Sequence, residues 1–214
     1  MGTLMVRILV VDDHPLVRQG IMRVLREEFL SSEIGEASNG PDALNSISSR
    51  TWNLVLLDIS LPGRNGIDLL KEIKAARANL PVLILSTYPE AQFAIRSLRA
   101  GAAGYLNKES PPETLIAAVR QTLDGRKFIS SIVADQLADE LTIDPSKPLH
   151  ESLSDREYDV MLRLAGGSSV SHVASAINLS VKTISTYRAR ILQKLHMKSN
   201  ADLSQYAIRN KLID

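Results

Sequence analysis

Over its first 130 residues the chain alternates short, wholly apolar runs with longer amphipathic ones, and this constrains its fold more than any other feature. Val6 to Val11, Val55 to Leu57 and Val82 to Leu85 are too short for helices, rich in Val, Ile and Leu, and bounded by turn residues. Such runs read as strands buried on both faces. Weaker strands fall at Ile34 to Ala37 and at Gly104 to Leu106. Between them apolar residues recur at helical spacing: Leu16, Ile21, Val24 and Leu25; Ala43, Leu44 and Ile47; Leu69, Leu70 and Ile73; Phe93, Ile95 and Leu98; Leu115, Ile116, Val119 and Leu123. Five strands alternating with five helices predict an α/β unit with a doubly wound parallel sheet. In such sheets function collects at the carboxyl ends of the strands.

The alternation then stops. Residues 131 to 142 keep a helical period, and Asp144, Pro145, Ser146, Lys147 and Pro148 break it. Beyond lie only helical patterns, Ser154 to Ala165, Val170 to Ile177, Val181 to Leu195 and Ala201 to Lys211, which predict a small all-α bundle of four helices. The expected organisation is an α/β domain over residues 5–125, a helical extension and linker over 126–149, and a helical domain over 150–214. Charge follows the same division. The net +1 of the whole chain resolves into 15 basic and 14 acidic residues over 1–130, 1 and 5 over 131–152, and 9 and 5 over 153–214. No carboxylate stands between Asp159 and Asp202. The absence of cysteine excludes disulfides, thiolate metal sites and cysteine nucleophiles. With neither a secretory signal pattern nor an apolar run long enough for a bilayer, a cytoplasmic protein is expected, without membrane attachment.

The polar residues at the predicted strand ends form a pattern. Strand one stops at Asp12-Asp13, strand three at Asp58 and strand four at Ser86-Thr87, and strand five is followed by Lys108. In the sheet order 2-1-3-4-5 these ends are neighbours, so three carboxylates, a hydroxyl and an ammonium converge on one pocket. Crowded carboxylates invite a hard divalent cation, and magnesium suits so few ligands. Such a site neutralises an incoming phosphoryl group, while one carboxylate, the central Asp58, can attack it to form an acyl phosphate. His14 beside Asp13 could mimic a ligand, but Pro15 opens the next helix and a loop role suits it better.

In the C-terminal segment Ser154 and Glu157 form a capping box. Ser180 opens a later helix whose buried side carries Ile184, Ile191 and Leu195, while Lys182, Thr183, Ser185, Thr186, Ala189, Arg190 and Gln193 fall largely elsewhere. A basic, acid-free helix behind a short helix and a tight turn suits a helix-turn-helix, here about residues 170–189. The same composition also suits a solvated helix of a bundle.

Four segments, VRILVVDDHPLVRQG, LVLLDISLPGRNGIDLL, PVLILS and AGAAGYLNKESPPETL, together resemble the receiver domain of two-component response regulators, a CheY-like fold. The run LSDREYDVMLRLAGGSSVSHVASAINLSVKTISTYRARILQKL resembles a LuxR-type helix-turn-helix domain, so the whole chain resembles the NarL/FixJ type. The resemblance implies that Asp58 takes a phosphoryl group from a sensor histidine kinase. It implies that Asp13, Asp58 and the Ser60 carbonyl hold magnesium with help from Asp12, that Lys108 pairs with the phosphoryl oxygens, and that Ser86 and Tyr105 form the switch. Double-stranded DNA is the implied partner, and a homodimer is expected when the protein is phosphorylated or DNA-bound; related domains pair through their last helix, and a receiver face is the open alternative. Contacts are expected from Lys182, Thr183, Ser185, Thr186 and Arg190, with Lys194 and Lys198 on phosphates. The chain departs from the family where Thr183-Ile184-Ser185-Thr186-Tyr187 stands in place of the usual basic residue and His, and where Ser168 to His172 replaces the usual Asn, Lys and Glu. Two other functions are kept beside this transcription factor. One is a magnesium-dependent aspartyl phosphohydrolase, which usually has a second carboxylate where this chain has Ser60, so that at most slow dephosphorylation and no enzyme is expected. The other is a phospho-independent regulator with a vestigial receiver, against which the complete pocket set argues.

Overall fold

The computed structural model describes residues 5–61, 65–142 and 148–213. The chain divides into two compact units, one up to Ala138 and one from Asp139.

In the first unit β1 (Val6–Val11), β2 (Ser32–Ala37), β3 (Leu54–Asp58), β4 (Val82–Ser86) and β5 (Gly104–Asn107) form one parallel sheet in the order β2-β1-β3-β4-β5, as expected. They alternate with α1 (Pro15–Glu28), α2 (Gly40–Ser49), α3 (Gly66–Ala76), α4 (Glu90–Arg99) and α5 (Pro112–Leu123), and α6 (Ser131–Thr142) follows. Side chains alternate across a strand. One set, Ile8, Val10, Leu54, Leu56, Leu83, Leu85 and Leu106, meets Met22 and Leu25 of α1 and Leu115, Ala118 and Val119 of α5 in a single core. The alternate set, Leu9, Val11, Val55, Leu57, Val82 and Ile84, is buried as well. Burial on both faces explains why the strands read as unbroken apolar runs. One position of the α1 pattern needs a correction: Leu16 is 90% exposed, while Leu25 is buried, Ile21 and Val24 pack against the core, and Met22 joins them.

The second unit holds a 3₁₀ turn (Leu149–Ser152), then α7 (Asp155–Ala165), α8 (Val170–Ala176), α9 (Val181–Lys194) and α10 (Asn200–Arg209). The expected break at Asp144 to Lys147 lies outside the described residues. Each helix start is fixed locally. Ser154, Ser169, Ser180 and Ser199 accept a hydrogen bond from a backbone N–H of the first turn, and Ser154–Glu157 and Ser199–Asp202 are complete capping boxes. Between α8 and α9 the chain reverses through Asn178 in the left-handed region, a conformation that Asn tolerates better than most residues. Tyr158, Met161, Val173, Ile184, Ile191, Leu195, Leu203 and Ala207 are buried, with α7 packed on α8, α9 and α10. Among the described residues no helix is long and apolar enough to cross a membrane.

Candidate functional site

The sheet register brings the acidic strand ends together. Val11 pairs with Leu57 and Asp58 with Leu85, so Asp12 emerges from β1 level with Asp58 on β3. Both side chains are 1% exposed and are held in the same way. Asp12 Oδ1 accepts the His14 N–H at 2.7 Å, and Asp58 Oδ1 accepts the Ser60 N–H at 3.0 Å. A backbone donor two residues on thus fixes one oxygen of each carboxylate and leaves the other facing the pocket. Lys108 closes the group, its Nζ 2.7 Å from Asp12 Oδ2 and 2.8 Å from Asp58 Oδ2. The ammonium stands at ion-pair distance from both oxygens and is the one cation they share, and Asp13 Oδ1 is buried beside them. His14 lies at the rim, its Nδ1 2.9 Å from Asp13 Oδ1, while its N–H orients Asp12. Burial raises the Asp58 pKa, an effect that Lys108 and the Ser60 N–H reduce without cancelling.

Three buried acidic oxygens, two of them on one lysine and the third beside His14, fit a hard, oxygen-seeking cation. One ligand atom each from Asp12, Asp13, His14 and Asp58 lies within 4.8 Å of the others. Gly66, which the sequence reading passed over, makes this geometry possible. A Cβ there would stand 2.5 Å from both the Asp58 carbonyl oxygen and Ile59 Cα, so only glycine lets α3 begin directly behind the Asp58 strand end. The Asn-Gly pair at 65–66, with the Asn65 side chain capping α3, is the local signal.

Ser86 and Tyr105 sit beside this pocket. Ser86 is fully buried and its Oγ accepts the Tyr88 N–H at 3.0 Å. Tyr105 lies inward, 2% exposed, and donates its hydroxyl to the Tyr88 carbonyl at 3.0 Å. Burial pushes the phenol pKa up, so the hydroxyl stays a proton donor. Both switch candidates therefore hold the same residue, one at its N–H and the other at its carbonyl. Two further contacts were not foreseen. Phe128 forms a bridge with Gly104 of β5, and Ser130 Oγ bonds Glu90 on α4, which ties the segment after α5 to the same edge of the sheet.

On the second unit α9 buries Ile184 and Ile191. Lys182, Ser185, Thr186 and Arg190 are exposed on it, as is Lys198 beyond its end. Ser185 and Thr186 return their hydroxyls to the Val181 and Lys182 carbonyls at 2.9 and 3.0 Å. Thr183 is half-buried, with its Oγ1 2.7 Å from Ser180 Oγ at the helix start. Lys194 reaches back to α7, its Nζ 2.6 Å from Glu157 Oε2. Arg188 is similarly engaged, with Nε donating to Asn200 Oδ1 at 2.7 Å. Neither tertiary bond was readable from the helix pattern.

Comparison with known proteins finds similarity to both halves. Residues 8–120 match the family described as "Response regulator receiver domain", and residues 151–207 match "Bacterial regulatory proteins, luxR family". Response regulator UvrY of Escherichia coli is 34% identical over 209 residues, 97% of this chain and 96% of that protein. Response regulator GacA of Pseudomonas aeruginosa is 34% identical over 212 residues, covering 98% and 99%. Among solved structures, an RcsB–DNA complex superposes with a TM-score of 0.59 at 26% identity, covering 99% of this chain and 100% of that one. A structure of two RcsB dimers bound to two parallel DNAs gives 0.60 at 25% identity, with the same coverage.

Proposed function

The chain belongs to the two-component response regulators that join a receiver domain to a DNA-binding domain of the LuxR family, and from that premise we propose that Asp58 is its phosphoryl acceptor and that phosphorylation there controls binding to double-stranded DNA. The observation that carries this reading is the matched pair of turns that leaves Asp12 Oδ2 and Asp58 Oδ2 on a single lysine. Asp58 Oδ2 attacks the phosphorus of a phosphohistidine on the sensor kinase, forming the P–O bond as the P–N bond breaks, and the leaving imidazole takes up a proton. Asp12, Asp13, Asp58 and the Ser60 carbonyl would hold magnesium, which neutralises charge on the phosphoryl oxygens when bound. Lys108 pairs with those oxygens, and Ser86 turns toward them. That motion gives up its bond to the Tyr88 N–H and changes the turn that also holds Tyr105, next to the α4 edge where Ser130 is bound.

The receiver is a phosphoacceptor with at most slow autodephosphorylation, since Ser60 supplies no acid or base for hydrolysis. The domain division at 125 and 149 follows from this assignment, and the protein acts in the cytoplasm. In the DNA-binding domain Lys182, Thr183, Ser185 and Thr186, near the start of α9, meet base edges and the adjoining backbone, while Arg190 and Lys198 meet phosphates. Lys194 serves first to fix α9 to α7 through Glu157 and adds positive charge to the same face. A single module of this size binds weakly, and dimers are seen for RcsB on DNA, so a homodimer on a two-part site is proposed.

The test is to incubate the purified protein and Asp58→Ala with magnesium and acetyl phosphate and to follow phosphoprotein, released phosphate and operator binding. A stable acyl phosphate in the wild type alone, with a change in DNA affinity, is expected. Multiple turnover would establish a phosphohydrolase instead, and an unmodified wild type with full DNA affinity a vestigial receiver.

A further inference from the structure

The opposite pole of the sheet, at the amino ends of the strands, carries a second charged cluster that phosphoryl transfer does not use. Arg7 stands near the start of β1, Arg50 follows α2 and Arg77 follows α3. They border two adjoining clefts of about 430 and 570 Å³ that share Arg50, Thr51 and Arg77. Glu33 is the only carboxylate among the lining residues, and both of its oxygens are occupied, Oε2 by Arg7 Nε at 3.0 Å and Oε1 by Arg50 Nη1 at 2.6 Å. Arg7 Nη1 also donates to Thr51 Oγ1 at 3.1 Å. Among the described residues none forms a hydrogen bond or ion pair with the exposed Arg77 side chain. Three guanidinium groups thus face one carboxylate.

A cation at a helix C-terminus offsets the carbonyl end of the helix dipole, which accounts for Arg50 and Arg77 one at a time. It does not account for their convergence with Arg7 on a shared cleft. The first cleft also has an apolar wall of Ile47, Trp52 and Leu80. Trp52 is fixed there by its indole N–H, which donates to the Ser46 carbonyl at 3.2 Å, and by its fit over Gly35, where a Cβ would stand 2.3 Å from the ring. Small-molecule sites combine an apolar wall with a few convergent polar groups in a space of this size. Guanidinium groups pair best with planar or tetrahedral oxyanions.

We propose that this cleft binds a small phosphate monoester with a flat apolar body, of mononucleotide size, with the phosphate on Arg77 and Arg50 and the body against the wall formed by Ile47, Trp52 and Leu80. The site lies at the far end of β1 and β3 from Asp12 and Asp58, so a ligand there does not compete with phosphorylation.

Trp52 is the only tryptophan of the chain, so its indole N–H gives one assignable amide-region resonance in the full-length protein. Adenosine monophosphate is titrated as the probe, with adenosine and inorganic phosphate as separate arms. The expected result is a saturable shift of that resonance with an affinity of about 1 mM or tighter, weakened about tenfold or more for either fragment. Arg77→Gln should lose binding and Arg77→Lys should retain most of it. Arg23→Gln, on the exposed side of α1, should leave it unchanged. No shift with the nucleotide, a shift equal in Arg77→Gln, or equal affinity for adenosine or for inorganic phosphate would each overturn the proposal.

Discussion

Among the described residues each half of the molecule buries two carboxylates, and the two pairs have opposite fates. In the DNA-binding domain Glu157 is 4% and Asp159 5% exposed, and each has cations of its own. Glu157 Oε2 takes Lys194 at 2.6 Å and the Ser154 N–H at 2.9 Å. Asp159 takes Arg163 at 2.8 Å and Arg156 at 3.5 Å, and Arg156 goes on to the Ile177 carbonyl at the end of α8. In the receiver Asp12 and Asp58, with Asp13 beside them, share Lys108. Burial raises both Asp58 and Glu157. For Asp58 that effect prevails, whereas for Glu157 the bonds from Lys194 and Ser154 overcome it and hold the acid below its ordinary value. A buried carboxylate with a full set of partners fixes helices to one another; one left short of partners is available to a metal and a phosphoryl group.

The largest break in this comparison should come from Lys108. In metal-free buffer Lys108→Ala leaves two buried carboxylates without their cation and should destabilise the receiver by about 3–5 kcal/mol, read from urea unfolding through Trp52. Asp58→Asn should do the reverse. Because its folded pKa is raised, Asp58 contributes stability that is present below its unfolded pKa and is lost as pH rises through the folded value, so at neutral pH the charge costs stability and its removal restores it. If both variants moved the midpoint in the same direction, the contrast would fail.

Glu157→Gln should have a smaller effect, on the order of 1–3 kcal/mol in the DNA-binding domain, since Lys194 is partly solvated and part of the loss is that of a capping box. Hydrogen exchange along α7 and α9 separates this from any change in the receiver. The sign with pH is opposite to that of Asp58. The Glu157 pKa is lowered on folding, so its stabilisation is present above the ordinary glutamate value and is lost as pH falls through the lowered one. Glu157→Gln should flatten that acid limb.

How far these sites could be read in the sequence depended on how local their causes are. Asp12 and Asp58 stood out because β1 and β3 are apolar on both faces and end abruptly in charge, and the capping box at Ser154 joins residues only three apart, whereas the one at Ser199 went unread. Leu16 shared the helical period of α1 yet is exposed, because periodicity finds an apolar stripe without showing where the stripe runs past the core. Gly66 is required by the backbone of Asp58 and Ile59, a close approach that exists only in three dimensions. The Lys194–Glu157 bond joins residues 37 apart and the Ser130–Glu90 bond residues 40 apart, and helix patterning carries no signal for either.

Magnesium offers a finer test, since the receiver gathers Asp12, Asp13 and Asp58 at one point, and among the described residues the other domain has no such group. At tenfold excess over its dissociation constant it should stabilise that domain by about 1.4 kcal/mol and leave the other unchanged, as two separate transitions would show. The smallest effect divides the two halves most sharply. Each has a tyrosine hydroxyl bound to backbone: Tyr105 donates to the Tyr88 carbonyl, and Tyr206 accepts the His150 N–H at 3.2 Å. Replacing either by Phe removes the bonds of one hydroxyl, which for Tyr206 include His150 Nδ1 at 3.0 Å, and should cost on the order of 1–2 kcal/mol in its own domain. Only Tyr105 shares its partner residue with Ser86, so only Tyr105→Phe should also change the ratio of DNA affinities with and without phosphorylation. Tyr206→Phe should lower stability and leave that ratio as it was. An unchanged ratio in Tyr105→Phe would reduce its hydroxyl to the same packing role as that of Tyr206, and the coupling through Tyr88 would have to run through Ser86 alone.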